Sequence, residues 1–230
     1  KANGGFNMNY RNKKFNLFAN YNHSKREGFN HLTLQRNFYK NGIFTGAYEQ
    51  DNNYRYHIGG DMGGIGLDYT LSPKTIIGGV VNGDATAFRR DGFNYSNVID
   101  GDAYKAPSHF TTANTSPNYW NNYTVNLNLR HNFDSTGRAL AVDADYAAYP
   151  SHGRQDYTTN YYDSLGNLLS PTPSILRGDL KGLTQIRSFK ADYTHPLLVN
   201  AKLEAGMKTS FVTADNDIRF YNMISGIYVP

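Results

Sequence analysis

The sequence predicts an all-β fold, an antiparallel transmembrane β-barrel with about eight strands in view, and three observations carry that expectation. The first is the segment 123–133, Tyr-Thr-Val-Asn-Leu-Asn-Leu-Arg-His-Asn-Phe. Strand side chains have a period of two, so Tyr123, Val125, Leu127, Leu129, His131 and Phe133 share one face, opposite Thr124, Asn126, Asn128, Arg130 and Asn132. Ten steps of ~3.3 Å, tilted by ~40°, rise ~25 Å, the height of the apolar band on such a barrel. The second is composition: 19 Tyr, 13 Phe and 22 Gly with only 18% charged residues favour sheets and turns over disorder. The third is rhythm, because alternating segments are joined in turn by tight turns and by long polar stretches.

Bulk properties remove the competing classes. No run approaches the ~18 apolar residues of a membrane helix, and a negative mean hydropathy is no argument against a barrel, since only every second strand residue meets lipid. A net charge of +4, spread without a Lys/Arg stripe, gives no footprint for nucleic acid. The absence of cysteine fits the bacterial envelope without requiring it. The chain starts at Lys1 without a signal peptide and stops at Tyr228-Val229-Pro230, which reads as a loop, so it is expected to be an excerpt.

The strands follow in order as four hairpins. Phe6, Met8 and Tyr10 lead into a turn at 11–14, and Phe15, Leu17, Ala19 and Tyr21 resume the same face. Ile65, Leu67, Tyr69 and Leu71 reach Ser72-Pro73-Lys74, after which Ile77, Gly79, Val81, Ala85 and Ala87 continue. The 123–133 strand turns at 134–138 into Leu140, Val142, Ala144 and Tyr146. Ala191 and Tyr193 approach a turn at 195–199, and Leu203, Ala205, Met207, Thr209 and Phe211 leave it. The short turns are expected on the periplasmic side, and the polar segments 24–56, 89–118 and 150–182, with a fourth beginning after Ala214, as extracellular loops. Asn41-Gly42 and Leu165-Gly166-Asn167 are turn signals inside those segments.

Charge suggests a register. Pairing Phe133 with Leu140 sets Arg130 opposite Asp143, and pairing Tyr193 with Ala201 sets Asp192 opposite Lys202 and Lys190 opposite Glu204. Each such pair adds only ~0.2 to 1 kcal/mol, enough to refine a register but not to hold a sheet.

Four phrases carry a family resemblance: Phe6-Asn-Met-Asn-Tyr-Arg-Asn-Lys-Lys-Phe-Asn-Leu-Phe-Ala-Asn-Tyr21, Gly66-Leu-Asp-Tyr-Thr-Leu-Ser-Pro-Lys74, Asp134-Ser-Thr-Gly137 and Lys202-Leu-Glu-Ala-Gly-Met-Lys208. They resemble the outer-membrane β-barrel proteins of Bacteroidetes-type bacteria, which include many TonB-dependent receptors. The resemblance implies a bacterial outer-membrane location and a larger barrel of about 22 strands with an N-terminal plug. Residues 1–230 are then one partial barrel domain, with the plug, the TonB box and the C-terminal strands outside it. It further implies import of a bulky nutrient (siderophore, haem, glycan or peptide) driven through TonB. The implied partners are membrane lipid, TonB by way of the plug, and a surface lipoprotein. The alternative is a barrel of the same lineage with a structural, secretion or adhesion role and no TonB coupling.

Catalytic and cofactor motifs are missing from the sequence. The cluster Gly59-Gly60-Asp61-Met62-Gly63-Gly64-Ile65-Gly66 lacks the Gly-Lys-Ser/Thr ending of a phosphate loop and reads as strand making a close backbone approach. The histidines fall in no zinc spacing; His131 and His195 belong near the periplasmic rim, and His31, His57, His109 and His152 beside the outer loops, within conceivable reach of cargo. Asp100-Gly101-Asp102 and Asp215-Asn216-Asp217 concentrate oxygen ligands but complete no EF-hand, so turn chemistry is the simpler account. Asp68, Asp143, Asp145, Asp192 and Glu204 opposite Arg130, Lys190, Lys202 and Lys208 read as a water-filled wall of ion pairs. With no nucleophile motif beside them, neither enzyme activity nor a cofactor is expected.

The aromatics divide in two. Tyr10, Phe15, Tyr69, Phe133 and Tyr193 suit the periplasmic girdle, and Tyr21, Tyr119, Trp120, Tyr123, Tyr146 and Phe211 the outer one. Tyr48, Tyr54, Tyr56, Tyr104, Tyr157, Tyr161 and Tyr162 lie among Asn and Asp in the predicted loops and are the candidates for cargo contact, with loop packing an equal explanation. A third reading, a soluble β-sandwich or carbohydrate-binding module, requires the apolar strand faces to be covered by a second sheet.

Overall fold

The computed structural model describes residues 1–101, 108–198 and 201–230. Nine strands form one antiparallel sheet in sequence order: β1 (Ala2–Arg11), β2 (Phe15–Lys40), β3 (Ile43–Ser72), β4 (Thr75–Asp100), β5 (Ser108–Asn132), β6 (Ala139–Tyr162), β7 (Ser174–Leu198), β8 (Ala201–Ile224) and β9 (Ile227–Val229). Every neighbour is a hairpin partner, the order of an up-and-down barrel wall. The sheet is open: β1 pairs only with β2, and β9 only with β8.

The strand faces follow the alternation read from the sequence. Along one row Ile65 faces Ala19 and Val81, Val81 faces Val125, and Val125 faces Tyr146, so the apolar sets of β2 to β6 share one side. No second layer covers it. Leu127 is 61% exposed and Met207 64%, and only Ala47 and Ala148 are buried apolar residues among those described. A soluble sandwich would bury these side chains, whereas a barrel wall presents them to lipid. Aromatic pairs bracket the apolar band: Phe15–Tyr69 at 4.9 Å and Phe133–Tyr193 at 6.1 Å on the turn side, Phe6–Tyr21 and Tyr123–Tyr146 at 6.0 Å on the other.

Among the described residues, most of the polar segments expected as loops are strands. β2 runs for 26 residues, β3 for 30 and β4 for 26. A strand of ~25 residues is ~80 Å long, far beyond what a ~25 Å band requires, so the wall continues well past the membrane. Residues 24–56 therefore form the outer halves of β2 and β3, closed by Asn41-Gly42, whose positive φ angles of 52° and 79° make a tight hairpin turn. Ser225-Gly226, with φ of 51° and 81°, closes β8 onto β9 in the same way, so Tyr228 and Val229 are strand and not loop. The segment read as loop after Ala214 likewise continues β8 as far as Ile224. Between β6 and β7 the chain leaves the sheet at 163–173, where the Asp163 carboxylate accepts the amides of Leu165 at 2.9 Å and Asn167 at 2.8 Å.

The registers differ from those that charge suggested. His131, and not Phe133, stands opposite Leu140, which sets Asn128 and not Arg130 against Asp143. Tyr193 stands opposite Ala205, so Lys190 faces Lys208, and neither Asp192–Lys202 nor Lys190–Glu204 are neighbours across the hairpin. Ion pairs form instead along single strands, Lys190 with Asp192 and Lys202 with Glu204. β7 also runs on to Leu198, past the turn expected from His195; Val199 of that turn lies outside the described residues.

Candidate functional site

The face opposite the lipid band changes character along its length. Within the band it carries the charged residues of a wet lumen: Asn16 donates to Asp68 at 3.1 Å, and Asn126 and Ser188 donate to Asp145 at 2.7 and 2.9 Å. Asp84, held by Asn122 at 3.1 Å, marks the upper limit of this zone. From there to Asp100 near the outer end of β4, the inner face of β2 to β8 holds no carboxylate among the described residues. It is built from aromatic rings, amides, leucines and a few arginines.

Two rows of rings cross the wall. In the lower, Tyr56 of β3 stacks on Phe88 of β4 at 6.3 Å, and Phe88 meets Trp120 of β5 at 6.3 Å. In the upper, Phe38, Tyr48, Phe110 and Tyr161 follow one another at 5.1, 6.4 and 5.9 Å. Glycine on the adjacent strand lets some rings lie against the wall. A Cβ at Gly28 would collide with the Tyr56 ring, and one at Gly178 would stand 2.7 Å from Cε1 of Phe220. Arg26 lies 5.6 Å from the Tyr56 ring centre and Arg90 5.4 Å from that of Tyr54, both within cation–π range. Between the two rows is a groove of about 420 Å³, lined chiefly by Leu32, Leu34, Gln50, Asn52, Tyr54, Arg90, Asn94, Asn114 and Tyr157.

The sequence candidates divide by parity. Tyr48, Tyr54, Tyr56, Tyr157 and Tyr161 stand on the inner face, on strands and not in loops, and Tyr54 and Tyr157 line the groove. Tyr162 is the chain neighbour of Tyr161 and points to the other side, stacked on His109 at 4.5 Å with the rings 7° apart. Tyr104 lies outside the described residues, as does Asp102. Trp120, expected in the outer girdle, belongs to the inner row, while Tyr119 beside it faces outward. Arg26 and Arg90 were missed because their segments read as loops, and Phe88 because it stands at the edge of one. Alternation continuing through 86–98 was the signal that could have found them.

The outward face above the band is the converse, charged and internally paired. Arg89 binds Asp91 at 2.9 Å, Arg154 binds Asp156 at 2.8 Å, and Arg219 binds Asp217 at 2.8 Å. His57 contacts Glu27 at 3.3 Å, the main influence holding the Glu27 carboxyl below its ordinary range, with Lys25 adding to it. All seven histidines, His23, His31, His57, His109, His131, His152 and His195, fall on this outward side of the sheet. The described residues contain no group of three or more His, Cys, Asp or Glu able to hold a metal ion. Asp217, one of the paired acids at 215–217, is engaged by Arg219.

Residues 131–230 match the family model described as outer membrane protein beta-barrel family, a stretch that runs from the end of β5 through β9. A search of curated proteins finds no match to the chain. The fold is an open portion of an antiparallel outer-membrane β-barrel, and its place is the bacterial outer membrane.

Proposed function

We propose that this barrel wall belongs to a TonB-dependent receptor of the Bacteroidetes-type lineage that imports a bulky nutrient. The observation that carries the reading is the reversal of the inner face, from charged within the membrane to aromatic and amide-rich beyond it, with a groove set into the second zone. A barrel with a purely structural role has no need of an organised, carboxylate-free inner surface that extends tens of ångströms outward. A vestibule that collects cargo above a gated lumen does.

In this reading the mechanism is gated movement without bond chemistry or cofactor. The upper wall binds cargo and a plug blocks the lumen. TonB, pulling on that plug, opens a path along the charged lower wall, and a surface lipoprotein covers the mouth. The test is uptake of the organism's nutrient mixture by cells with and without TonB. Accumulation of a solute that needs both this protein and TonB supports the proposal. Uptake unchanged by loss of TonB would reject it in favour of a structural, secretion or adhesion barrel.

A further inference from the structure

We infer that the groove above the membrane binds an acidic oligosaccharide, a class that deepens the receptor reading and rests on it. The first observation is where positive charge is left over. On the outward face Arg89, Arg154 and Arg219 each pair with a carboxylate two residues along the same strand, and Arg55, which makes no such pair, stands opposite Asp91 in the register. On the inner face Arg26 and Arg90 lie against tyrosine rings and have no carboxylate partner among the described residues. No acid on the described inner wall between Asp84 and Asp100 competes for them. The uncompensated potential of the upper wall therefore points into the vestibule, where low-dielectric walls concentrate it.

The second observation is the shape of the apolar surface. Tyr56 can lie across Gly28 only because no side chain occupies that position, and Phe88 and Trp120 continue the row. Rings laid along a wall present their faces to the cavity, which suits the C–H-bearing faces of pyranose rings. The third is the hydrogen-bonding complement. Asn52, Asn94 and Gln50 form a chain on the groove floor, Asn94 donating to Asn52 at 2.7 Å and Gln50 to Ser96 at 3.1 Å. Amides both donate and accept, as do sugar hydroxyls, while a guanidinium pairs with a carboxylate or sulfate. A volume of about 420 Å³ falls within the range of small-ligand sites and accommodates two to three sugar rings.

The alternatives fit less well. Haem carries propionates that the arginines would take, but its porphyrin offers no hydroxyls to the amide chain of Gln50, Ser96, Asn94 and Asn52. A ferric catecholate would use the arginines and rings but leave the amide chain without a partner. A cationic peptide would meet arginine and no carboxylate.

The test is calorimetric titration of the native protein, extracted from outer membranes in mild detergent, with three probes: oligogalacturonate, a neutral malto-oligosaccharide of equal length, and a ferric catecholate complex. Oligogalacturonate is expected to bind at least tenfold more tightly than either of the others. Arg26→Gln combined with Arg90→Gln should remove that preference, and Tyr56→Ala should weaken binding while keeping it. Equal binding of acidic and neutral sugars, preference for the catecholate, or binding indifferent to both arginines overturns the inference, as does absence of binding by all three. Barrel integrity in each variant is read from resistance to unfolding in SDS without heating. The two readings fail separately. TonB-dependent uptake of some other solute with no oligogalacturonate binding overturns the cargo class alone, and arginine-dependent binding without TonB-dependent uptake overturns the receptor alone.

Discussion

Lys190 of β7 stands directly opposite Lys208 of β8, and the carboxylate that Lys190 binds, Asp192, lies two residues further along its own strand. Like charges set face to face oppose pairing by a few tenths of a kcal/mol to ~1 kcal/mol, so this register is held by something other than charge. The larger force is the outward face. A slip by one residue would send Ala191, Met207 and Phe211 into the lumen and polar residues into lipid.

Cross-linking checks this register. Cysteines replacing Ala191 and Met207, which are direct partners, should join under mild oxidation in the membrane, and cysteines replacing Ala191 and Leu203 should not. The reverse result would restore the charge-paired register.

Leu127→Arg should cost ~2 to 4 kcal/mol, because Leu127 sits in the lipid-facing row between Gly79 and Ala144, inside the two aromatic brackets. Asn126→Arg should cost much less, since position 126 faces the wet lumen beside Asp145, 2.7 Å away. Urea unfolding in lipid vesicles measures both, and equal losses would reject the assignment of faces.

Gly28→Val should turn the Tyr56 ring away from the wall and break the row that ends at Trp120. Trp120 is the single tryptophan of these residues. Spectra of the variant compared with its Trp120→Phe counterpart isolate its emission, which should shift as the row is disturbed. Gly4→Val, where nothing lies within 4 Å of a new Cβ, serves as the control and should leave it unchanged.

The turn after β6 should open in acid. The Asp163 carboxyl is held below its ordinary range first by the Asn167 side chain, then by the Asn167 backbone amide. A group whose folded value is depressed contributes stability above its unfolded value, about 3.9, and loses it as pH falls through the folded value. Protection of the Leu165 and Asn167 amides, taken against the intrinsic exchange rate at each pH, should therefore be present at neutral pH and be lost below about pH 4. Asp163→Asn should flatten that dependence.

The sequence made the membrane half of this wall legible and hid the outer half, for one physical reason. Inside the band, lipid demands apolar residues at every second position, and that demand is visible in segments such as 123–133. The charge-derived registers miss by even numbers of residues, Phe133–Leu140 by two and Tyr193–Ala201 by four, so the faces survive although the predicted ion pairs do not. Beyond the band both faces meet water. Alternation there runs between charged and amide or aromatic residues, as in Asp51, Arg55 and His57 against Gln50, Asn52, Tyr54 and Tyr56, and a composition rich in Asn, Asp and Gly resembles loop. Tyr161 and Tyr162 show the consequence: adjacent and alike in sequence, they end on opposite sides of the wall.

The outward placement of every histidine sets how the vestibule responds to its surroundings. Histidine is the side chain whose unperturbed titration falls between pH 5 and 8, and the inner wall has none to protonate. This wall therefore presents an incoming molecule with no histidine charge that changes between mildly acidic and neutral surroundings, and capture on it should keep its strength across that range.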